Sequence, residues 1–468
     1  MTTTLDISQV PGAVRDLLEW RRGESSRLER IYLYLRDPDA EASAVGLTGN
    51  LTNGPLRWLK SSVSPEVKRL AELSRVNMLK FVVSATTQVM YVDGFRARDS
   101  SDEEPAWDVW QRNKMDARQI GVHRSALSYG VSYVTVLPGT PVPVIRGASP
   151  RKMTAVYGDD DDWPELALEQ RRSAKKNTTL FRVYDAMNTW WVEQSEKDEL
   201  SIIDVQGHDI GHCPVVRFVS NINDDGIIEG EVEPLIPLQD QINVTTFGLQ
   251  VAQHYAAFRQ RYILGWTAPD EAAALTASAK KLWTFEDAEV KVGEFSQTDL
   301  SGYINSREAS LRHLATISQT PAHELLGQLV NLSAEALAAA EANHQRKVTE
   351  RQTSFGEGWE QVLELAADIQ LQMTDPTAAV RWRDTEARAL SSVADALGKL
   401  AAQLGVPKRA LWEKIPGVTQ DDIARWIAMA DEEKAVDPMS QLAATLSAQG
   451  ATDGGRANGP IPPAAATA

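Results

Sequence analysis

Cysteine is nearly absent from this chain: Cys213 is the only one in 468 residues. That excludes an intramolecular disulfide framework and any cysteine-rich zinc site. No apolar run reaches the ~18 residues a membrane-spanning helix requires, so no membrane contact is expected. The opening stretch MTTTLDISQVPGAV has neither the basic start nor the apolar core of a secretory signal, and assembly in a reducing cytosol is expected. There is no G-x-x-x-x-G-K-[ST] loop, so an ATP-driven motor would have to be another chain. Neither H-E-x-x-H nor G-x-S-x-G occurs, and no catalytic residue, metal or cofactor is assigned. Positive charge is short as well: 48 Lys and Arg face 64 Asp and Glu, a net charge of −16. A protein that grips nucleic acid by its phosphates clusters Lys and Arg. Any contact of this chain with DNA is therefore expected to be weak, local or non-adhesive.

The length exceeds what one hydrophobic core usually serves, so two or more packed units are expected. An apolar share of 43% with 24% charged residues is ordinary for a soluble protein. The chain is organised around residues 233–373. A helix is predicted from Glu233 to roughly Tyr262, with Leu238, Ile242, Leu249, Ala252 and Ala256 at three- and four-residue steps. A mixed insertion follows over Ile263–Thr298, then a second helix stopped by Pro321. The Gly-containing connection AHELLGQLVNLS leads into a very long helix from Ala334 to about Met373. Its apolar stripe is Phe355, Trp359, Val362, Ala366, Ile369 and Met373. At 1.5 Å per residue the first helix would be about 40 Å long and the last about 60 Å, which are struts rather than average helices.

Before this centre, residues 10–36 read as an amphipathic helix. Ser64-Pro65 starts another that runs through Leu70, Leu73, Met78 and Val82 to about Val89. Trp107–Tyr129 reads as a third helix and passes through Gly130 into the alternating strand VSYVTVLPG. Further strands are expected in PVPVIR, KMTAVYG, TLFRVYD, TWWVEQ, LSIIDVQ and CPVVRFV, making residues 40–232 an α+β unit with helices first. After Asp375-Pro376, VRWRD reads as one strand and the remainder as a small helical unit, its last helix capped by Thr419. From about Val436 the composition turns to Ala, Gly, Pro and Ser, and disorder is expected.

Several residues invite chemistry. Asp159-Asp160-Asp161-Asp162 could bind a metal, but consecutive carboxylates on a loop diverge where metal ligands converge, so a solvated loop is the better reading. His208, His212 and Cys213 lack a partnering pair, and Pro214 with VVRFV points to a strand, so a structural role is expected. Arg259 and Arg261, at the end of the first long helix, and Lys280 and Lys281 in the insertion are phosphate-contact candidates or intersubunit ion pairs. Gly356 and Gly358 are candidate bend points, because each glycine weakens a helix interior by about 1 kcal/mol. The 13 Trp residues read mainly as core or interface anchors.

The order of these parts resembles the portal (connector) proteins of tailed double-stranded DNA bacteriophages, most closely those of long, non-contractile-tailed phages (siphophage type). YVDGFRA (91–97) and ALSYGVSYVTV (126–136) carry the resemblance in the N-terminal region. CPVVRFVSN (213–221) and EVEPLIPLQDQIN (231–243) carry it up to the first long helix. DLSGYI (299–304), ISQTPAHELLG (317–327), the stretch 333–366 and GVPKRALWEKIPGVTQDDI (405–423) carry it onward, so that it covers roughly residues 10–430. The resemblance implies an α+β, mainly α, portal fold: wing over 1–232, stem helices 233–262 and 299–319, and an α/β clip over 263–298. A tunnel loop over 320–333, a long wing helix over 334–373, a helical crown over 374–433 and a disordered tail over 434–468 complete it.

It further implies a homo-oligomeric ring, usually a dodecamer, at one capsid vertex of the virion, through which double-stranded DNA is packaged and ejected without sequence specificity. The implied partners are the terminase large subunit, the head-completion adaptor, and the major capsid and scaffold proteins. Gly327, Gln328, Asn331 and Ser333 become candidates to face the DNA. Two rival readings stay open: a coiled-coil adaptor through which no DNA passes, and a metal-dependent nuclease built on the aspartate run.

Overall fold

The computed structural model describes residues 3–36, 54–60, 62–97, 104–158, 162–173, 178–256, 261–264, 291–294, 299–327, 334–383, 390–412, 414–415, 418 and 420–436. The chain divides into two compact units, residues 1–91 with 95–379, and residues 92–94 with 380–468. The fold is α+β.

In the first unit, α1 (Val10–Leu35) follows the expected helix, with Val10, Val14 and Leu17 buried. These pack with Leu5 on Leu168, Phe181, Val183, Trp190 and Val192 of a five-stranded antiparallel sheet. Its order is β4 (Met153–Val156), β5 (Leu166–Arg172), β6 (Thr179–Tyr184), β7 (Asn188–Gln194) and β8 (Leu200–Gly207). Strand β5 was not legible in LALEQRR, where polar residues break the alternation. The polar side chain is accommodated inside: Glu169 is buried and accepts from the Tyr184 hydroxyl at 2.8 Å. The β6–β7 turn closes on Asp185, which accepts from the Met187 and Asn188 amides at 2.7 and 2.6 Å and from the Trp190 indole at 2.7 Å.

Two long helices expected from the sequence are each broken. Residues 64–89 form α2 (Pro65–Leu73) and α3 (Met78–Gln88), because Asn77 caps a new start by accepting from the Lys80 amide. Residues 106–129 form α4 (Ala106–Arg112) and α5 (Met115–Tyr129), separated where Lys114 adopts a left-handed backbone at φ 56°. Between the two pairs runs β1 (Val92–Arg96). Strands β3 (Val144–Ala148), β2 (Val131–Leu137) and β9 (Val215–Val219) form a second sheet in that order.

A 3-10 turn (Glu233–Leu235) leads into α6 (Ile236–Ala256). Strands β10 (Arg261–Leu264) and β11 (Lys291–Glu294) pair antiparallel, so Arg261 lies in a strand opposite Glu294 rather than at the end of the helix. Then come α7 (Ser301–Ser318), the short α8 (Ala322–Leu326) and α9 (Ala334–Ile369). By the rise per residue, α9 is about 54 Å long. It stops four residues short of the expected end: Leu371 takes a left-handed backbone at φ 56°, and Met373 is 94% exposed rather than part of the stripe.

The buried stripe of α9 carries the core. Trp359 meets the Trp110 ring edge-on at 4.9 Å and Phe218 at 4.5 Å. Its indole N–H donates to Nε2 of fully buried His123 at 2.8 Å, so Nε2 is the bare nitrogen and Nδ1–H faces the Met90 carbonyl at 3.2 Å. The helix runs unbroken through Gly356 and Gly358. At Gly358 an added Cβ would stand 3.0 Å from the ring of Phe218, which is itself wedged by Trp359. Gly358→Ala is therefore expected to destabilise by up to about 2 kcal/mol, overpacking of about 1–3 kcal/mol set against about 1 kcal/mol of helix propensity. Urea denaturation reads it directly, and a stabilised variant would show that Phe218 gives way.

The second unit pairs β1 with β12 (Ala379–Trp382), and Arg383 bridges to Asp93 at 2.6 Å. Its helices are α10 (Leu390–Gln403), α11 (Lys408–Trp412) and α12 (Gln420–Val436). Trp412 meets Trp426 edge-on at 6.0 Å, and Arg409 pairs with Asp431. The expected Thr419 cap and the tail beyond residue 436 lie outside the described residues.

Candidate functional site

The residues that could work mechanically gather where α6 begins and α7 ends. Chain geometry creates the place. Gly130 ends α5 at φ 91°, and an added Cβ on Gly230 would lie 2.6 Å from the Gly130 amide nitrogen, so two backbones cross here with no room for side chains. The Glu231 amide donates to the Leu127 carbonyl at 2.8 Å, fixing the segment that leads into α6.

Glu231 then reaches Lys347 of α9. The Lys347 ammonium donates to Glu231 at 3.1 Å and to the Ser318 carbonyl, the last turn of α7, at 2.9 Å. Both side chains are nearly out of solvent, at 6% and 9% exposure. Burial pulls the Lys347 pKa down while the Glu231 carboxylate opposes it. Arg351 stands behind at 3.9 Å from the other carboxylate oxygen. One turn earlier, His344 contacts the Gln319 carbonyl at 3.2 Å, with its pKa lowered by burial and then by Lys347. One buried cation thus ties the start of α6, the end of α7 and the middle of α9 together.

A second lock holds the first turns of α6. Glu233 takes Arg27 at 3.3 Å and Arg30 at 2.6 Å, both from α1. Asp240 accepts from the Tyr34 hydroxyl at 2.6 Å and pairs with Arg57 at 2.8 Å. Burial, with Asp240 beside it, holds the Tyr34 hydroxyl above its ordinary pKa. Gln239 and Asn243, four residues apart and both buried, satisfy the backbone between α2 and α3. Gln239 accepts from Met78 N–H at 3.0 Å and donates to the Val76 carbonyl at 2.6 Å, while Asn243 accepts from Val76 N–H at 3.2 Å.

Above these locks, Gly248 of α6 meets Tyr303, near the start of α7, at 3.0 Å from an added Cβ. Since the end of α7 meets the start of α6, the two helices are antiparallel, about 30 Å rods by their rise per residue. They present Val244, Ile304 and Ile317 outward, 42%, 47% and 60% exposed.

The sequence candidates distribute unevenly over this geometry. Gly327 follows α8 in a left-handed conformation at φ 62° with open space around it. Gln328, Asn331, Ser333, Arg259, Lys280 and Lys281 lie outside the described residues, as do Asp159, Asp160 and Asp161. Asp162 is placed, and its carbonyl accepts from the Gln361 side chain at 2.8 Å. Among the described residues no three His, Cys, Asp or Glu groups converge as a metal site. The His212 ring lies tilted against Trp163, with ring centroids 3.9 Å apart. Cys213 is buried, its thiol 3.5 Å from the Tyr184 carbonyl and pushed well above its ordinary pKa by burial. Reading single residues missed Glu231, Gln239, Asn243 and Lys347. All four lie in stretches that carry the resemblance, 231–243 and 333–366, which was the available signal.

Residues 33–435 match the family described as "Phage portal protein, SPP1 Gp6-like". The portal protein of Mycobacterium phage D29 is 26% identical over 419 residues, spanning 82% of this chain and 84% of its own length. That of Mycobacterium phage L5 is also 26% identical over 419 residues, spanning 83% and 84%. A solved chain from the neck of a native GTA particle, computed with C12 symmetry, covers 75% of this chain and 90% of its own at 12% identity and a TM-score of 0.48.

Proposed function

The chain belongs to the SPP1 Gp6-like family of phage portal proteins, and from that membership we propose that its copies close into a ring, a dodecamer, at one vertex of the capsid. Double-stranded DNA enters the head through the ring's channel during packaging and leaves by the same route at infection. The observation that carries the ring is the stem: two antiparallel rods locked at their base by buried polar groups, with Val244, Ile304 and Ile317 left facing outward. A monomer gains nothing from that exposure; a neighbouring copy covers it. Many copies of one heterologous contact close by cyclic symmetry.

The net charge of −16 supports a channel through which DNA slides, since few phosphates would be neutralised and few counterions released. In this reading Gly327, Gln328, Asn331 and Ser333 stand toward the DNA. Arg259 and Arg261 beside the first stem helix and Lys280 and Lys281 in the clip contact DNA phosphates in the channel, and the terminase large subunit and later the head-completion adaptor dock on the clip. Major capsid and scaffold proteins surround the wing. The tunnel loops, together with the long helix bending at Gly356 and Gly358, retain the DNA. The protein is a structural channel of the virion, assembled in the bacterial cytoplasm, and the motor's ATP chemistry belongs to another chain.

Negative-stain microscopy of the purified protein is expected to show rings with a hole wide enough for duplex DNA. Ile304→Asp with Ile317→Asp should leave folded chains that do not close. A wild-type chain that stays monomeric at every concentration, and is missing from the capsid vertex, would remove the reading.

A further inference from the structure

A cavity of about 170 Å³ opens between the end of the β2–β3 pair and the face of strands β6, β7 and β8, with no part in the stem or its locks. It is larger than the space one water occupies and smaller than the ~300 Å³ at which pockets for drug-sized ligands begin. Its ionisable lining is Arg146 from β3, Arg182 from β6 and His208 just beyond β8, without a carboxylate. In a chain with 16 more acids than bases, this is a local reversal of sign.

The strand register explains how the face is built. Arg182 on β6 stands opposite Trp191 on β7, and Thr189 on β7 opposite Gln206 on β8. Side chains two apart along a strand share a face, so Arg182, Trp191, Thr189 and Gln206 form one polar patch with an aromatic floor. The Arg182 guanidinium lies over the Trp191 ring at 5.2 Å. On its other side Arg182 stands across from Glu169, whose carboxylate is engaged by the Tyr184 hydroxyl at 2.8 Å. Glu169 itself pairs with Arg171 at 3.0 Å, and among the described residues neither Arg146 nor Arg182 forms an ion pair with a carboxylate, Arg182 reaching the Tyr184 hydroxyl instead.

Two guanidiniums lining one small cavity repel each other, and neither can shed its proton. A cleft with walls of one sign concentrates the opposite ion. Guanidinium forks match the paired oxygens of carboxylate and phosphate, and Thr189 and Gln206 add neutral donors. We propose that this cleft is an oxyanion-binding site: one small oxyanion bridges Arg146 and Arg182 above the Trp191 ring. Two sources share the chemistry, free phosphate in solution or an acidic side chain of a neighbouring copy. The phosphate source stands without the ring reading; the neighbour's carboxylate rests on it.

The test has one arm for each source. Equilibrium dialysis of the full-length protein with radiolabelled inorganic phosphate, in chloride buffer at constant ionic strength, is expected to show saturable binding near one per chain. Arg182→Gln and Arg146→Gln should each weaken it at least tenfold. Arg146 is exposed, so that variant keeps its fold even if Arg182→Gln does not. In the second arm, mass photometry in phosphate-free buffer compares wild type with the double variant. Loss of assembly in the variant, with no phosphate bound by wild type, assigns the oxyanion to a neighbour's carboxylate. Phosphate binding unchanged in both single variants overturns the proposal. So does an absence of phosphate binding together with unchanged assembly. Failure of the ring reading looks different, because wild type itself would not assemble while phosphate binding persists.

Discussion

Lys347→Met is expected to lower the unfolding free energy by about 3–5 kcal/mol, the usual cost of breaking a buried pair by removing one partner. Methionine fills nearly the same volume, so the loss is electrostatic rather than a cavity. Among the described residues Glu231 would keep only Arg351, at 3.9 Å, and the Ser318 carbonyl would lose its Lys347 donor. The companion variant sharpens the result. Glu231→Gln combined with Lys347→Met removes both charges and should recover part of the loss, because an uncompensated carboxylate no longer remains inside. Urea denaturation of the single and double variants closes the cycle. A single-variant effect under about 1 kcal/mol would mean that the cation is solvated and the three helices are held by packing alone.

Acidification is the second large effect, and its source is His123. Burial depresses its pKa from 6.5 to about 3, only partly opposed by the Met90 carbonyl. The folded pKa lies below the unfolded one, so the unfolded chain binds the proton first as pH falls. The contribution is complete above pH 6.5 and is lost as pH drops toward 3. Within that window the slope is about 1.4 kcal/mol per pH unit, about 4–5 kcal/mol in total. Chemically, a proton on Nε2 would set N–H against the indole N–H of Trp359 now bonded to it at 2.8 Å. Carboxylates titrate over the same range, so the measurement is a difference. Urea melts at pH 7.5, 6 and 5 should show a steeper decline for wild type than for His123→Gln. Parallel slopes would mean that the imidazole is charged or solvated in the fold.

These two residues mark what a sequence does and does not disclose. The rods and the long helix were legible because Ile242, Phe355, Trp359 and Val362 repeat at helical spacing, and hydrophobic burial obeys that spacing. Periodicity registers apolar faces only. Gln239, Asn243 and Lys347 look like solvent-side residues until the backbone groups they satisfy, dozens to more than a hundred residues away, are in place. The breaks at residues 74–77 and 113–114 were invisible for a related reason: the apolar spacing continues across them while the caps and a left-handed lysine reset the axis. Strand β5 failed from the opposite cause, a carboxylate tolerated inside because Tyr184 stands beside it. Of the candidate site residues, the glycines could be judged by what their missing Cβ would meet. Gly358 has Phe218 in that space, and Gly327 has nothing.

The solitary thiol has a practical consequence. Cys213 is enclosed and held protonated, so maleimides and disulfide reagents find no native sulfur to attack. A cysteine introduced at Ile304, with a second at Val244, would be the only reactive sulfurs on each copy. Partial oxidation across touching copies would then produce a ladder on a denaturing gel, and the number of rungs counts the protomers without an image being taken.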